Sequence, residues 1–276
     1  MMRLLALDFD GVISDSAPEA FSVALRTYLE LVPDSQLAEL ARPMLGAQAP
    51  SLQSVAAHAL YPAFLELMPL GNRAEDYGVI LGALELRRDV PDQAAYDVLH
   101  AGTDPSWLRA YHKRFYKVRA ALAARDAEGW ERLMGPYPEL LEILRRRGGD
   151  AILAIATAKD RRSVEKLLRV YGIDDLIPLE RVHDKETGVT KDAHLEHLGR
   201  QFGLAPEEMT FIDDKVNHLD VVAKLGVRCG LAAWGYNGPR EVALASERGH
   251  LVCSLGDAEE QLFEAKTGSN PGASAG

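Results

Sequence analysis

Short apolar runs alternate with segments of helical spacing along the second half of the chain, and this alternation restricts the fold more than any other feature. A strand–helix–strand succession predicts a mostly parallel sheet with helices on both faces. The apolar run at residues 4–7 belongs to the same sheet, because its continuous pattern indicates burial on both faces and one strand alone forms no sheet. We therefore expect an α/β core with strands near residues 3–9, 151–157, 179–184, 209–214, 227–234 and 250–255.

The stretch between the first strand and the rest of this pattern is mostly helical. Apolar residues recur at helical spacing in four segments, the second of which we expect to be interrupted at Pro62: residues 18–32, 51–68, 74–88 and 105–124. We predict that residues 1–14 and 137–265 form the core, that residues 15–136 form an inserted helical domain, and that the Gly/Ser-rich residues 266–276 are a disordered tail. Hinges are expected near residues 14–18 and 135–138.

Polar side chains collect where the predicted strands end. The first strand ends in Asp8 and Asp10, which point to the same side of the strand and repel each other. In an open α/β sheet, ligands bind outside the carboxyl ends of the strands. We therefore expect a site at that edge, formed by the residues that follow the strand ends or precede the next helix: Asp8, Asp10, Thr157, Lys159, Lys191, Asp213 and Asp214.

This set of side chains is suited to phosphoryl transfer. Carboxylate oxygens are the ligands that Mg²⁺ prefers, and an aspartate can attack phosphorus to form an aspartyl-phosphate. A lysine and a hydroxyl can hold the charged oxygens of the transferred group. A second aspartate can protonate the leaving oxygen and later activate water.

Four stretches of the chain resemble the motifs of the haloacid dehalogenase superfamily, in the branch with a helical cap inserted after the first strand. They are "DFDGVISDS", "LAIATA", "GVTKDAHLEHLG" and "MTFIDDKVNHLD", and the resemblance covers residues 3–16 and 137–255. It implies a Rossmann-like core and identifies the inserted domain as a cap. It also implies Asp8 as nucleophile, Asp10 as general acid/base, and phosphate binding by Thr157, Ala158 and Lys191. By the same resemblance, Mg²⁺ is bound by Asp8, the carbonyl of Asp10 and Asp214, with Asp213 as a further candidate.

Several positions leave alternatives open. Lys185 competes with Lys191 for the lysine role, and Lys159 either contacts phosphate or faces solvent. His218 stands where many members of the superfamily have Asp or Asn, so the outer shell of the metal is in question. His194 and His197 have a spacing that allows metal binding, although a surface position fits them as well.

The function that we expect is a Mg²⁺-dependent phosphatase for a small phosphorylated metabolite. A phosphomutase fits the same motifs, and phosphonate cleavage would need a cap lysine such as Lys113 or Lys117. A non-catalytic phospho-acceptor protein is the alternative of a different class, but it would place the acidic pair before the phosphorylated aspartate. The basic cap residues that we expect to contact an anionic leaving group are Arg73, Lys113, Arg114, Lys117 and Arg119.

Charge and composition exclude other classes of function. Lys and Arg number 31 against 41 Asp and Glu, a net charge of −10, which argues against a nucleic-acid surface. No apolar run approaches the roughly 20 residues of a membrane span. The N-terminus lacks the pattern of a signal peptide, so Cys229 and Cys253 are expected to be reduced thiols of a cytoplasmic protein.

Overall fold

The computed structural model describes residues 2–71, 73–184, 186–188 and 190–263. Lys185 and the predicted tail at 266–276 lie outside these residues. The strands, in chain order, are β1 (Leu4–Leu7), β2 (Ser14–Asp15), β3 (Gly135–Pro136), β4 (Ile152–Ala156), β5 (Val182–His183), β6 (Met209–Asp213), β7 (Arg228–Ala232) and β8 (Leu251–Cys253). All but β2 and β3 pair in parallel in one sheet, in the order β5-β4-β1-β6-β7-β8. The predicted parallel α/β sheet is therefore confirmed.

The segment between β2 and β3 is helical in its regular elements. Its helices are α1 (Ala17–Leu31), α2 (Ala38–Ala41), α3 (Leu52–Ala56), α4 (Tyr61–Leu67), α5 (Ala74–Glu85), α6 (Gln93–Ala101), α7 (Pro105–Arg125) and α8 (Ala127–Arg132), with 3₁₀ turns at Arg42–Met44 and Met68–Leu70. Helices α1, α5 and α7 pack against one another. The buried Tyr111 hydroxyl of α7 donates to the Ala24 carbonyl of α1 at 2.8 Å, which fixes the two helices side by side.

The helices that follow β3 cover the sheet. They are α9 (Pro138–Arg147), α10 (Arg161–Tyr171), α11 (Lys191–Phe202), α12 (Val216–Ala223), α13 (Pro239–Glu247) and α14 (Ala258–Phe263). No helix among the described residues is both long enough and apolar enough to cross a membrane.

The central strand β1 shows why its sequence is apolar throughout. Leu5 and Leu7 belong to a core cluster that includes residues of α9, α10 and α14. Leu4 and Ala6 point the other way, into a second cluster with residues of α11, α12 and α13. Successive strand residues face opposite sides, so a strand covered on both faces buries every side chain.

The inserted helical segment is joined to the sheet by a small antiparallel ribbon. Strands β2 and β3 pair Ser14 with Pro136 and Asp15 with Gly135. The Ser14 hydroxyl lies 2.8 Å from the Tyr171 hydroxyl of α10, and both are buried. The entry and exit of the insert thus run side by side, at the two places where hinges were expected.

Several details differ from the sequence prediction, among them the unexpected helices α2, α8, α13 and α14. Pro62 lies in the first turn of α4, where no helical N–H is needed, and the break falls just before that helix. Residues Leu179–Arg181 form a 3₁₀ turn, so β5 is shorter than the strand expected near 179–184. Helix α6 was not expected, and only Tyr96 of its residues is buried, so its sequence carries little periodic apolar signal.

Candidate active site

Lys191, the first residue of α11, connects the ends of three neighbouring strands. Its Nζ lies 2.7 Å from Asp8 Oδ1, just beyond β1, and 3.1 Å from Asp213 Oδ2, at the end of β6. It also donates a hydrogen bond of 2.7 Å to the carbonyl of Ala156, the last residue of β4. One buried ammonium group therefore lies between the predicted nucleophile and the acidic pair.

The electrostatics of this trio follow from burial and proximity. Burial favours neutral Lys191, but Asp213 and Asp8 outweigh it and hold the pKa of the ammonium above its ordinary value. Burial also opposes ionised Asp213, yet Lys191 and His218 hold its pKa below the ordinary value. Burial raises the pKa of Asp8, with Lys191 acting against it and Asp213 with it. Asp213 is thus the main counter-ion of Lys191, while the negative charge of Asp8 is only partly balanced.

Asp10 is held by a different pair of side chains. Lys159 Nζ lies 2.9 Å from Asp10 Oδ1, and the Ser16 hydroxyl donates to the same oxygen at 2.7 Å. Burial opposes ionisation of Asp10, but Lys159 and Ser16 bring the pKa of the carboxyl below its ordinary value. Lys159, for which the sequence left two possibilities open, is buried and pairs with Asp10 rather than facing solvent.

Asp214 packs against the turn that follows Asp10. Its Oδ2 accepts a hydrogen bond of 3.1 Å from the Tyr236 amide. Gly11 has φ +83°, and a Cβ built there would lie 2.6 Å from Asp214 Oδ2, so only glycine permits this approach. Burial, with Asp213 adding to it, raises the pKa of Asp214 well above its ordinary value. Asp213 and Asp214 therefore have different contacts and opposite pKa shifts.

One group of side chains at this edge could hold a metal ion. Asp8, Asp213 and His218 each offer a ligand atom, and these atoms all lie within 4.8 Å of one another. His218 Nδ1 is 3.0 Å from Asp213 Oδ2. Among the described residues, this is the one group of three or more such ligands, and it includes neither His194 nor His197.

The remaining predicted residues lie at the same edge of the sheet. Thr157 follows β4 and is buried, and its Oγ1 accepts from the Lys159 amide at 3.1 Å. Ala158 stands between them and is exposed. His194 is buried and held by loop carbonyls, with Nε2 2.9 Å from the Asp184 carbonyl and 2.8 Å from the Gly188 carbonyl. That position is structural rather than at the surface.

Three residues near the site were not found from the sequence. Ser16 lies within the first motif, six residues after Asp10, so its proximity was a usable signal. Lys215 directly follows the acidic pair and is buried, with Nζ 3.4 Å from the carbonyl of Met68. Tyr236, whose hydroxyl lies 3.0 Å from Ser16 Oγ, has no motif around it that would have identified it.

A parallel sheet that brings Asp8, Asp10 and an acidic pair to one edge, with helices inserted after the first strand, defines the haloacid dehalogenase-like class. A model of the haloacid dehalogenase-like hydrolase family matches residues 2–226 of the chain. The chain belongs to this family, and the resemblance inferred from its motifs is confirmed.

Curated relatives are similar to the chain over different lengths. A phosphoglycolate phosphatase from Mannheimia succiniciproducens is 26% identical over 238 residues, which are 85% of this chain and 87% of that protein. A phosphoglycolate phosphatase from Haemophilus influenzae is 33% identical over 110 residues, 38% of this chain and 47% of that protein. The second alignment thus spans about half of that relative. These names agree with the predicted enzyme class, a phosphoric monoester hydrolase.

Solved structures share the fold at low sequence identity. A predicted phosphoglycolate phosphatase from Haemophilus somnus has a TM-score of 0.60 and 17% identity, covering 94% of this chain and 97% of its own. A haloacid dehalogenase-like hydrolase from Streptococcus pneumoniae has a TM-score of 0.59 and 14% identity, covering 93% and 96%. The agreement over nearly whole chains shows that both the sheet and the inserted helices belong to the common fold.

Proposed function

We propose that the protein is a Mg²⁺-dependent phosphatase that forms an aspartyl-phosphate on Asp8. The observation that supports this most strongly is the position of Lys191 between Asp8 and Asp213, with Asp10 held separately by Lys159 and Ser16. The arrangement gives each aspartate its own partners. Asp8 shares Lys191 with Asp213, so its charge is only partly balanced, and we assign it as the nucleophile.

The side chains at this edge fit a hard divalent cation. Burial and the negative charges of Asp213 and Asp8 outweigh the positive charge of Lys215 at Asp214 and keep its pKa raised, so negative charge is in excess at this edge. We assign Asp8, the carbonyl of Asp10 and Asp214 as the groups that hold Mg²⁺, with Asp213 as a further candidate. When bound, Mg²⁺ supplies counter-charge to the phosphoryl oxygens.

The chemistry then divides between two aspartates. Asp8 attacks phosphorus while Asp10 protonates the leaving alcohol, and Asp10 next activates the water that hydrolyses the aspartyl-phosphate. The pKa of Asp10 lies below its ordinary value in the free protein, which suits the base role. A phosphoryl dianion near Asp10 favours its protonated form, which suits the acid role. Lys191, Thr157 and Ala158 are assigned to phosphate binding.

The fold separates these tasks in space. We propose that the core, residues 1–14 and 137–265, carries the chemistry and that the cap, residues 15–136, selects the leaving group in a cytoplasmic enzyme. The names of the relatives make 2-phosphoglycolate the first substrate to test. Phosphonate cleavage has no support in the structure, because Lys113 and Lys117 are both exposed.

Release of inorganic phosphate from 2-phosphoglycolate and from a panel of phosphorylated metabolites tests this proposal. We expect release with Mg²⁺, loss of release in EDTA and its recovery when Mg²⁺ is restored. A protein that isomerises a sugar phosphate without releasing phosphate would be a mutase instead. Full activity after exhaustive EDTA treatment would contradict the assigned metal dependence.

A further inference from the structure

The structure separates the five basic cap residues that the sequence singled out. Arg73, Lys113, Arg114 and Lys117 are exposed, and Arg114 pairs with Glu30 at the surface. Arg119 differs, because only 24% of its side chain is exposed and its partner Glu19 is fully buried. Arg119 is therefore the member of this set with an interior position.

Arg119 is held rigidly by its neighbours. Its Nε donates to Glu19 Oε1 at 2.8 Å, and its Nη2 donates to Glu19 Oε2. Glu19 Oε1 also accepts from Trp130 Nε1 at 3.0 Å. The guanidinium carbon lies 5.7 Å from the centre of the Phe115 ring. A guanidinium fixed on one edge by a carboxylate and on one face by a ring loses little freedom when it binds a ligand.

The ion pair of Arg119 and Glu19 lies close to Asp10. Glu19 is in the first turn of α1, three residues after Ser16, whose hydroxyl donates to Asp10 Oδ1 at 2.7 Å. Ser16 is the N-cap residue of α1 and Glu19 is its third helical residue, so the two lie within the same first turn. Consistent with that, Arg119 contributes, after Lys159 and Ser16, to lowering the pKa of Asp10. The Asp10 side chain retains 34% exposure, so both groups border solvent.

The Arg119 guanidinium has more N–H donors than its hydrogen bonds to Glu19 use. It carries five N–H groups, and the carboxylate of Glu19 occupies the edge formed by Nε and Nη2. No hydrogen bond from Nη1 of Arg119 to any residue in the described part of the chain is present. The edge formed by Nη1 and Nη2 can therefore donate two hydrogen bonds to a second carboxylate in the same bidentate manner.

We propose that Arg119 binds a carboxylate carried by the leaving group that Asp10 protonates, so that the enzyme acts on phosphoesters of small hydroxy acids. This inference rests on the proposed phosphatase activity and adds the substrate class to it. The cap then recognises the acid end of the substrate, while the core binds the phosphoryl end.

Two matched substrates test the inference. 2-Phosphoglycolate carries a carboxylate, and 2-hydroxyethyl phosphate has a neutral hydroxymethyl group in its place. Arg119→Lys keeps a positive charge for buried Glu19 but removes the planar guanidinium and its paired N–H donors. A double variant, Arg119→Gln with Glu19→Gln, removes both charges together and so leaves no unpaired buried carboxylate. Arg114→Gln is the control, since Arg114 lies on the same helix and is exposed.

We expect both Arg119 variants to lower kcat/KM for 2-phosphoglycolate by about 10-fold or more, mainly through a higher KM. For 2-hydroxyethyl phosphate, kcat/KM should change by less than about 2-fold. Arg114→Gln should change neither. Equal loss on the two substrates would assign Arg119 a structural role, and no loss on either would remove it from recognition. Both results overturn the inference. If the wild-type protein with Mg²⁺ releases phosphate from neither ester, nor from any other in the panel, the proposed function fails first and the inference fails with it.

Discussion

Asp213 and Asp214 are adjacent in the chain, yet their carboxylates meet opposite surroundings. Asp213 has a lysine and a histidine within 3.1 Å, and its pKa is lowered although it is buried. Asp214 has a backbone amide, Lys215 and two other acids near it, and its pKa is raised. Lys191 and His218 thus outweigh burial at Asp213, whereas Lys215 does not outweigh burial and the neighbouring acids at Asp214.

Replacing Asp214 by Asn should therefore stabilise the protein when no metal is present. A carboxyl whose pKa is raised by folding is most favourable below its unfolded pKa and loses that advantage as pH rises through its folded pKa. At neutral pH the buried carboxyl therefore costs stability that an uncharged amide does not, so Asp214→Asn should raise Tm by about 2 °C or more in EDTA. Differential scanning calorimetry measures this, with the exposed Asp34→Asn as control.

The same variant should lose the response of the protein to Mg²⁺. Saturating Mg²⁺ should raise Tm of the wild-type protein, because a ligand that binds only the folded state stabilises it. It should leave Tm of Asp214→Asn nearly unchanged. A response that survives in Asp214→Asn and disappears in Asp213→Asn would instead assign the ion to Asp8, Asp213 and His218.

The sequence motifs located the candidate site residues but not the side chains that contact them. Asp8, Asp10, Thr157 and Lys191 could be located because each stands beside a strand end. The pairing of Lys159 with Asp10 could not be read from the chain, because it depends on how the segment after β4 bends towards β1. The choice between Asp213 and Asp214 depends on neighbours from distant parts of the sequence.

At the level of elements, the loop after β7 connects the acidic pair to the β2–β3 ribbon. The amide of Tyr236 donates to Asp214, and its hydroxyl accepts from the Ser16 amide and lies 3.3 Å from the Ser14 carbonyl. A Cβ at Gly235 would lie 2.3 Å from the Gly11 carbonyl oxygen, so this loop also packs against the turn after Asp10. One loop thus supports both the site and the strand that enters the cap.

Tyr236→Phe should weaken the connection from β2 to α1 and leave the acidic pair in place. The variant keeps the amide contact to Asp214 but leaves the buried Ser16 amide without its acceptor, at a cost of about 1–3 kcal/mol. Urea unfolding should show a lower free energy of unfolding, and the Mg²⁺ response should persist. Tyr116→Phe, at an exposed tyrosine, is the control. Unchanged stability in Tyr236→Phe would show that the hydroxyl does not support the connection from β2 to α1.

The elements were predictable where their periodicity is strong. Helix α10 was expected at about 161–171 and extends over Arg161–Tyr171, because its apolar residues form one stripe that packs on the sheet. Strand β5 was less predictable. It has only Val182 and His183 paired, at the edge of the sheet, and the residues before it form a 3₁₀ turn. Such short edge strands depend on tertiary contacts more than on local pattern.

At the level of the whole molecule, the cap and one face of the sheet share a continuous apolar core. Phe9, Val12 and Ile13 from the turn after β1 lie in the same buried cluster as Phe21 of α1 and Tyr111 of α7. The predicted boundary at residues 15–136 stays a prediction, and the packing indicates that the two parts support each other. The sequence could not show this, because helical spacing does not reveal which apolar face meets which.

We therefore expect one unfolding transition. In a Trp234→Phe background, which removes the third tryptophan from the loop after β7, Trp107 and Trp130 report on the cap helices α7 and α8, and far-UV circular dichroism reports on all helices. Denaturation curves from the two probes should coincide, because the shared core is lost as one unit. Separate midpoints, with the tryptophan signal changing first, would show that the cap unfolds independently of the sheet.

The central claim is that Asp8 carries the phosphoryl group during turnover. The most direct measurement is rapid-quench trapping of labelled enzyme from a substrate labelled at phosphorus, in wild-type protein and in the Asp8→Asn and Asp10→Asn variants. We expect transient acid-stable label on the wild-type protein and longer-lived label on Asp10→Asn with an aryl phosphate, because an activated leaving group needs little protonation whereas hydrolysis still needs a base. Asp8→Asn should carry no label and release no phosphate. Label or near-normal phosphate release from Asp8→Asn would contradict the account.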